Sequence, residues 1–388
     1  MPSDVSGNAW HFVTCSYPPD IGGLASYSST VADALRRGGA VVHVWCPGAG
    51  DRNDRGIAVH AAPNRWRLLD FGTVGRELSQ CAAPRRLFVQ WVPHGYGYRS
   101  LNVAFVGWLA WRAWRQRDRL ELMVHEPWLE FDARRPRVAV AALVHRFMAW
   151  VLARSAARIW VSIPAWLPLI RRLAPSVEIG WLPVPGQVPV VRDAAEVTAV
   201  RDRLSPNRTP VVGHYGTYGE MITQLLAPSL ERLLEGRPDV TVALMGLGSR
   251  EFRDRWMTSR PQLASRVFAT GVLDEHALSL HIQACDVLLQ PYPDGVSARR
   301  STAVSLLAHG AAVVTTFGHL SEGLWAESGA VDAVALDPVA LAGAVQRLLD
   351  DPAKRVARAR AAIELYERVF DVRHTTRALS AAAPRAAA

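Results

Sequence analysis

The sequence predicts an α/β fold of two domains, each built on a mostly parallel sheet, with the carboxyl edges of the two sheets facing a central cleft. Three observations carry this expectation. The chain has 388 residues, more than one ordinary core accommodates. Short apolar runs alternate with segments of helical period along its length. A Pro- and Val-rich stretch at 181–193, WLPVPGQVPVVRD, has neither period and divides the alternation into two series.

In the first series the strand-like runs are 10–15, 40–46, 56–61, 86–92, 120–125, 158–162 and 178–184, with helical patterns at 24–37, 101–117 and 138–155 between them. This gives an N-terminal domain over 1–190. The second series runs strand 209–214, helix 221–234, strands 240–245, 267–270 and 286–290, helix 301–309 and strand 312–316, giving a C-terminal domain over 207–370. Helical patterns extend from Pro338 to about Ser380, so 371–388 is expected to be a final helix and a frayed tail, AAAPRAAA. Nearly continuous apolar strands alternating with helices indicate parallel sheets covered on both faces. In such sheets ligands bind outside the carboxyl ends of the strands.

Composition excludes several classes. A hydrophobic fraction of 49% with 20% charged residues is globular, not disordered. The net charge is +9, and Lys354 is the only lysine. The arginines are scattered, not gathered into one basic stripe, which argues against nucleic acid as partner. Cys15, Cys46, Cys81 and Cys285 form no CxxC and read as small buried hydrophobes in a reducing compartment. The opening MPSDVSGNAW lacks the basic and apolar regions of a secretion signal. Of the two most apolar stretches, 101–111 is too short to span a bilayer and 138–153 is interrupted by His145 and Arg146. The expectation is a cytoplasmic protein, with peripheral membrane contact open. Trp108, Trp111 and Trp114, at helical spacing beside Arg112, Arg115 and Arg117, fit either a helix with one face in the core or a basic helix lying on a membrane.

The loops at strand ends hold the candidate chemistry. In SYPPDIGGLASYS (16–28), Gly22 and Gly23 precede a helix; they fit contact with a phosphate or sugar, and equally a tight turn. In QPYPDGVSARRSTAV (290–304), Asp294, Gly295, Val296 and Ser297 lead to Arg299 and Arg300, which stand before a helix opening Ser301–Thr302. Two arginines, hydroxyls and a helix N-terminus form an anion site; the alternative is a solvated basic turn. His214, Gly216 and Thr217 in VVGHYGTYGE, and Gly246 in MGLGSRE, supply flexible backbone and donors, or ordinary turns. His125, Glu126 and Glu130 follow a first-half strand. His94, Tyr96, Tyr98 and Arg99 follow another, where rings and polar groups together suit a sugar.

In their order these loops resemble the GT-B glycosyltransferases, specifically the retaining family 4 group, over roughly Trp10 to Leu379. YPPDIGGLASYSSTVADALRRGGAVVHVWCP resembles that group's opening strand, diglycine loop and first helix, and VVGHYG, VALMGLG, FATGVL, ACDVLLQPYPDG and HGAAVVTT resemble its C-terminal domain. The resemblance implies two Rossmann-like domains, a nucleotide-diphosphate sugar as co-substrate with no resident cofactor or metal, and an acceptor held mainly by the N-terminal domain. It implies donor-phosphate contact at Gly22 and Gly23, with His125 near the transferred sugar; the residues themselves make His214, Gly216, Thr217, Gly246 and the 294–302 loop donor-side candidates, with Arg299 and Arg300 expected to replace the family's lost positive charge at the diphosphate. His94, Tyr96, Glu126 and Glu130 become acceptor-side candidates. The final helix would cross back to the first domain.

The sequence departs from the family pattern where two glutamates seven apart are usual, placing Ser297 and Ser305 there, and His214 stands where an arginine is usual. No DxD triplet for a metal-held diphosphate occurs. A nucleotide-sugar epimerase and a non-catalytic subunit on the same fold remain alternatives at this stage.

Overall fold

In the computed structural model, residues 9–97 and 101–381 are described. The expectations placed on Tyr98, Arg99, the first eight residues and the tail from 382 onward lie outside them. The chain divides into two compact units, one of residues up to 183 together with those from 372, the other of residues 184–371.

Unit 1 runs β1 (Trp10–Val13), α1 (Gly23–Arg37), β2 (Val42–Pro47), β3 (Arg52–Asp54), β4 (Ile57–Ala62), α2 (Leu68–Gln80), β5 (Arg86–Trp91), α3 (Val103–Arg115), β6 (Arg119–Val124), α4 (Pro136–Ser155), β7 (Arg158–Val161), α5 (Leu167–Leu173) and β8 (Glu178–Trp181). Its eight strands lie in the order β3-β4-β2-β1-β5-β6-β7-β8, all parallel except the short β3, which pairs antiparallel with β4. The interior strands read as apolar runs because both faces are covered: RLFVQW of β5 and RLELMV of β6 are buried from their second residue onward.

Unit 2 runs α6 (Ala194–Leu204), β9 (Val211–Tyr215), α7 (Glu220–Gly236), β10 (Thr241–Met245), α8 (Ser249–Ser259), β11 (Val267–Gly271), α9 (Glu275–Gln283), β12 (Val287–Gln290), α10 (Ser301–Ala308), β13 (Val313–Thr316), α11 (Leu324–Glu327), β14 (Val331–Val334), α12 (Pro338–Asp350) and α13 (Pro352–Leu365), closing with a π-helical turn at Tyr366–Phe370. Its six strands are all parallel, in the order β11-β10-β9-β12-β13-β14. Counted over the parallel strands, both units follow the Rossmann order third-second-first-fourth-fifth-sixth, and unit 1 adds β8 as a seventh at the edge. The chain therefore reverses direction between β1 and β5, and again between β9 and β12, which opens a crevice at the carboxyl ends there.

The last helix, α14 (Val372–Ser380), belongs to unit 1 and packs against α1. Two arginines at the amino ends of sheet strands hold its carboxyl end. Arg86 donates to the Leu379 carbonyl and Arg158 to those of Ala378 (3.3 Å) and Ala381 (3.4 Å). They satisfy carbonyls that the end of a helix leaves orphaned, with the sign its dipole favours. Arg86 also stacks on Trp10, 3.7 Å from the ring centroid, and makes a two-pronged pair with the fully buried Glu121 at 2.7 and 3.1 Å.

Candidate functional site

In unit 2 the crevice falls beside Gly216 after β9 and Pro291 after β12. The helices around it start in an unusual way. α7, α8 and α10 follow the three strands β9, β10 and β12, and their N-cap residues Gly219, Gly248 and Arg300 make no side-chain capping bond. The helices after the two edge strands differ: Asp274 caps α9, after β11, and Asp337 caps α12, after β14, through their carboxylates, while the one-turn α11 after β13 is uncapped. A carboxylate at the N-cap satisfies the first N–H groups and occupies the positive end of the dipole. The central three helix starts keep that capacity for an anion.

The loop from β12 to α10 is tightly held. Gly295 has φ +87°, and a side chain there would meet the Gly318 nitrogen and Ser321 Oγ at 2.3 Å. The Val296 N–H donates to the Thr316 carbonyl at 2.9 Å, and Thr302 Oγ1 lies 2.7 Å from Tyr292 Oη. Arg300 lies over the Tyr292 ring at 4.8 Å from the centroid. Arg299 and Arg300 both pair with Asp294. Burial pushes the Asp294 carboxyl up, but Arg300 and Arg299 outweigh it and hold the group below its ordinary range. The two cations expected to face a diphosphate thus share a resident counter-ion. Ser297 is buried and its Oγ has no hydrogen-bond partner. Ser305 is instead structural, accepting from the Gln187 N–H at 3.0 Å.

His214, at the position where the family's arginine is usual, carries no charge in its place. It is buried, its Nδ1 lies 2.8 Å from the Leu289 carbonyl, and burial pushes its pKa down to about 4, so the ring is neutral; Nε2 has no partner. Gly216 and Gly246 are brought together: a side chain on Gly246, at φ +111°, would meet the Gly216 carbonyl oxygen at 2.2 Å. Thr217 is exposed beside them.

In unit 1, Gly22 caps α1 without a side-chain bond, a Cβ there would meet nothing within 4 Å, and both Gly22 and Gly23 are exposed. His125 follows β6. Its Nε2 lies 3.0 Å from Gln90 Oε1, its carbonyl accepts from Ser162 Oγ at 3.1 Å, and Tyr27 meets its ring edge-on at 4.7 Å between centroids. A carbonyl oxygen only accepts, so in this arrangement the imidazole proton sits on Nε2. Burial pushes the His125 pKa down to about 3, so the ring acts as a neutral hydrogen-bonding group. Tyr27 Oη and Gln90 Nε2 are buried beside it without partners.

The acceptor-side candidates divide. His94 and Glu126 come together, with Nδ1 3.8 Å from Oε2, both half-exposed, and Glu130 is exposed on the following loop. Tyr96 is a core residue: it is 1% exposed, donates to the carbonyls of Val13 (3.1 Å) and Gln90 (2.6 Å), and stacks on Phe105. No face of it is open to a ligand, so its acceptor role is withdrawn.

The residues that sequence reasoning missed share one pattern. Gln90 is the penultimate residue of β5 and Gln290 the last of β12, each a polar residue at the carboxyl end of an apolar strand, and each strand is the fourth parallel strand of its unit. Gln290 donates to the Tyr215 carbonyl at 3.0 Å. Glu322 is an acid of the β12–α10 loop's surroundings that lies far along the chain. Its carboxylate accepts from the Ala298 N–H (3.1 Å) and from Trp325 Nε1 (2.8 Å), and burial pushes its pKa up.

Two groups in unit 1 have metal-ligand chemistry, His11 with His43 and Cys81, and Asp51 with His60 and Glu77. Their imidazoles are already engaged: Trp45 donates to His11 Nδ1 at 3.3 Å, His43 Nδ1 lies 3.0 Å from His60 Nε2, and His60 Nδ1 lies 3.3 Å from Asp51 Oδ2. A groove of about 740 Å³ in unit 2 is lined by Arg192, Asp286, His309 and Arg355. Asp286 precedes β12 and Ala312 precedes β13, so it lies at the amino edge of the sheet, away from the loops described above.

Two Rossmann-like α/β units with parallel sheets define the GT-B class of architecture. Solved structures of that form align over nearly the whole chain. Sucrose-phosphate synthase from Thermosynechococcus elongatus aligns at 15% identity over 96% of this chain and 97% of its own, with a TM-score of 0.69. WaaG, a glycosyltransferase of lipopolysaccharide biosynthesis, aligns at 14% identity over 96% and 100%, at 0.65. HepE from Anabaena, solved in complex with UDP-glucose, aligns at 15% over 96% and 98%, at 0.68. No family model and no curated protein matches the sequence.

Proposed function

We propose that this protein is a glycosyltransferase that moves a sugar from a nucleotide-diphosphate sugar to an acceptor hydroxyl, with retention and without a resident metal or cofactor. The observation that carries the reading is the contrast among helix starts in unit 2. The three around the crevice carry no side-chain cap, whereas the helices after the two edge strands carry aspartates. The similarity to HepE, solved with UDP-glucose, and to WaaG, a glycosyltransferase, supports the same ligand class. Negative charge grows on the leaving diphosphate as the glycosidic bond breaks. The N–H groups of α10 with Arg300 and Arg299 are the groups suited to stabilise it. On the same face the departing phosphate oxygen accepts the proton of the incoming hydroxyl. His125, neutral and fixed by Gln90, hydrogen-bonds the sugar, and His94 with Glu126 faces the acceptor.

A thermal-shift screen of UDP-, GDP- and ADP-sugars tests the reading, since a bound donor stabilises the folded state. One nucleotide family should raise Tm, and calorimetry should show binding that Arg300→Ala weakens at least tenfold. Failure of every nucleotide to bind would leave the fold as a non-catalytic subunit. Epimerised sugar in an acceptor-free incubation would make it an epimerase.

A further inference from the structure

We infer that the face of unit 1 formed by α3 and α4 docks on an anionic lipid bilayer. α4 is apolar on both sides. Ala142, His145, Met148, Ala149 and Leu152 face the interior. The opposite side presents Val140, Leu143, Phe147 and Trp150, which are 42–58% exposed and recur at intervals of three and four residues, one continuous stripe. α3 packs against α4 and adds Trp111 (46% exposed) and Trp114 (80%). A helix apolar all round belongs in a core or against lipid, and this one is covered on a single side. An exposed patch of this extent marks an interaction surface.

Charge selects the occupant. Neither α3 nor α4 contains an aspartate or a glutamate. Arg115, Arg137 and Arg154 are exposed on the two helices, and Arg134 stands exposed just ahead of α4. Arg154 lies over the Trp150 ring at 5.4 Å, and Arg146 over Trp128 and Phe131 at 5.5 and 6.0 Å, so cations sit at the borders of the aromatic surface. Tryptophan and arginine side by side match the headgroup level of a bilayer, where rings enter the acyl boundary and guanidinium groups meet lipid phosphates. A second copy of the same face would set arginine against arginine with no acid to pair, which disfavours self-association. Of the acids nearest in sequence, Asp118 after α3 is buried between Arg85 and Arg112, and Glu126, Glu130 and Asp132 lie on the loop before α4, where Asp132 pairs with Arg135 at 3.5 Å. This inference does not depend on the donor reading, because the face lies wholly within unit 1.

The test is co-sedimentation of the full chain with vesicles of phosphatidylcholine alone and with phosphatidylglycerol added to make the surface anionic. Binding should require the anionic lipid and fall at least tenfold between low salt and about 0.5 M salt. Brominated acyl chains should quench tryptophan emission, and Trp111→Phe/Trp114→Phe should remove most of that quenching. Phe147→Ser/Trp150→Ser should lose vesicle binding while retaining the far-UV spectrum and Tm. The variant Arg115→Gln/Arg137→Gln/Arg154→Gln, which leaves the apolar stripe intact, should lose the anionic preference. Absence of binding to anionic vesicles overturns the inference. So does a dimer in light scattering that the serine variant turns into monomer without any lipid binding. A nucleotide-binding failure in the screen above leaves this result untouched.

Discussion

At the scale of single residues, the structure separates side chains by what their surroundings let them do. His125, just after β6, and His214, near the end of β9, are both kept neutral by burial. Their contribution is the direction of a hydrogen bond, not a charge. His125→Ala should lower kcat/KM of sugar transfer by about 10²-fold, the usual cost of removing one oriented donor or acceptor, with Tm nearly unchanged. Gln90→Leu, which releases the ring, should reproduce much of that loss. Asp294 is the residue whose removal should help: Asp294→Asn frees both arginines, and calorimetry should show the nucleotide diphosphate binding more tightly than in the parent. Weaker binding would mean that the carboxylate places the arginines and does not restrain them. Gly246→Ala puts a methyl group on the Gly216 carbonyl at a positive φ, and should cost about 2 kcal/mol or more in chemical denaturation. The glycines, the paired arginines and His125 were legible in the sequence because they follow strands. Tyr96 was misread because a tyrosine beside a histidine and glycines looks like a sugar platform, and nothing local shows that two carbonyls from other strands claim its hydroxyl. Gln90 and Glu322 were illegible alone, since their partners lie 24 to 35 residues away.

At the scale of elements, the strands were read well because each is a continuous apolar run. Two strands escaped. β3 is three polar residues, and β14 carries Asp332, which Arg358 and Lys354 neutralise from α13. α8 escaped for a similar reason. SREFRDRWMTS shows almost no apolar stripe, yet Phe252, Trp256 and Met257 suffice to seat it. α2 escaped because two glycines and the exposed Leu68 and Leu69 blur its period. The helix-cap contrast in unit 2 was readable in principle from Gly219, Gly248, Asp274 and Asp337, once the strand order told inner helices from outer ones. The attachment of α14 was not, for Arg86 and Leu379 are 293 residues apart. Arg86→Ala removes a helix-end cap, a stack on Trp10 and one partner of buried Glu121. It should destabilise the fold by about 3 kcal/mol, and hydrogen exchange should show protection lost first in α14.

At the scale of the whole molecule, buried neutral histidines couple stability to pH. The pKa values of His11 and His125 are pushed down to about 3 and that of His214 to about 4, against about 6.5 in an unfolded chain. Between those values the unfolded state holds protons that the folded state refuses. Their stabilising effect is therefore complete above about pH 6.5 and declines as pH falls toward 4. Glu322, with its raised pKa, acts in the opposite sense. Urea unfolding should show a flat midpoint from pH 8 to 7 and a fall below about 6.5. His214→Gln should reduce the slope there by about one proton, or roughly 1.4 kcal/mol per pH unit. The docking of α14 also sets an order of events during synthesis. The first unit emerges from the ribosome with Trp10, Arg86 and Glu121 in place, yet the helix that caps this side of it is translated only after the whole of unit 2. Until then Arg86 and Arg158 have no helix end to hold, and a chain cut before Val372 would never supply one.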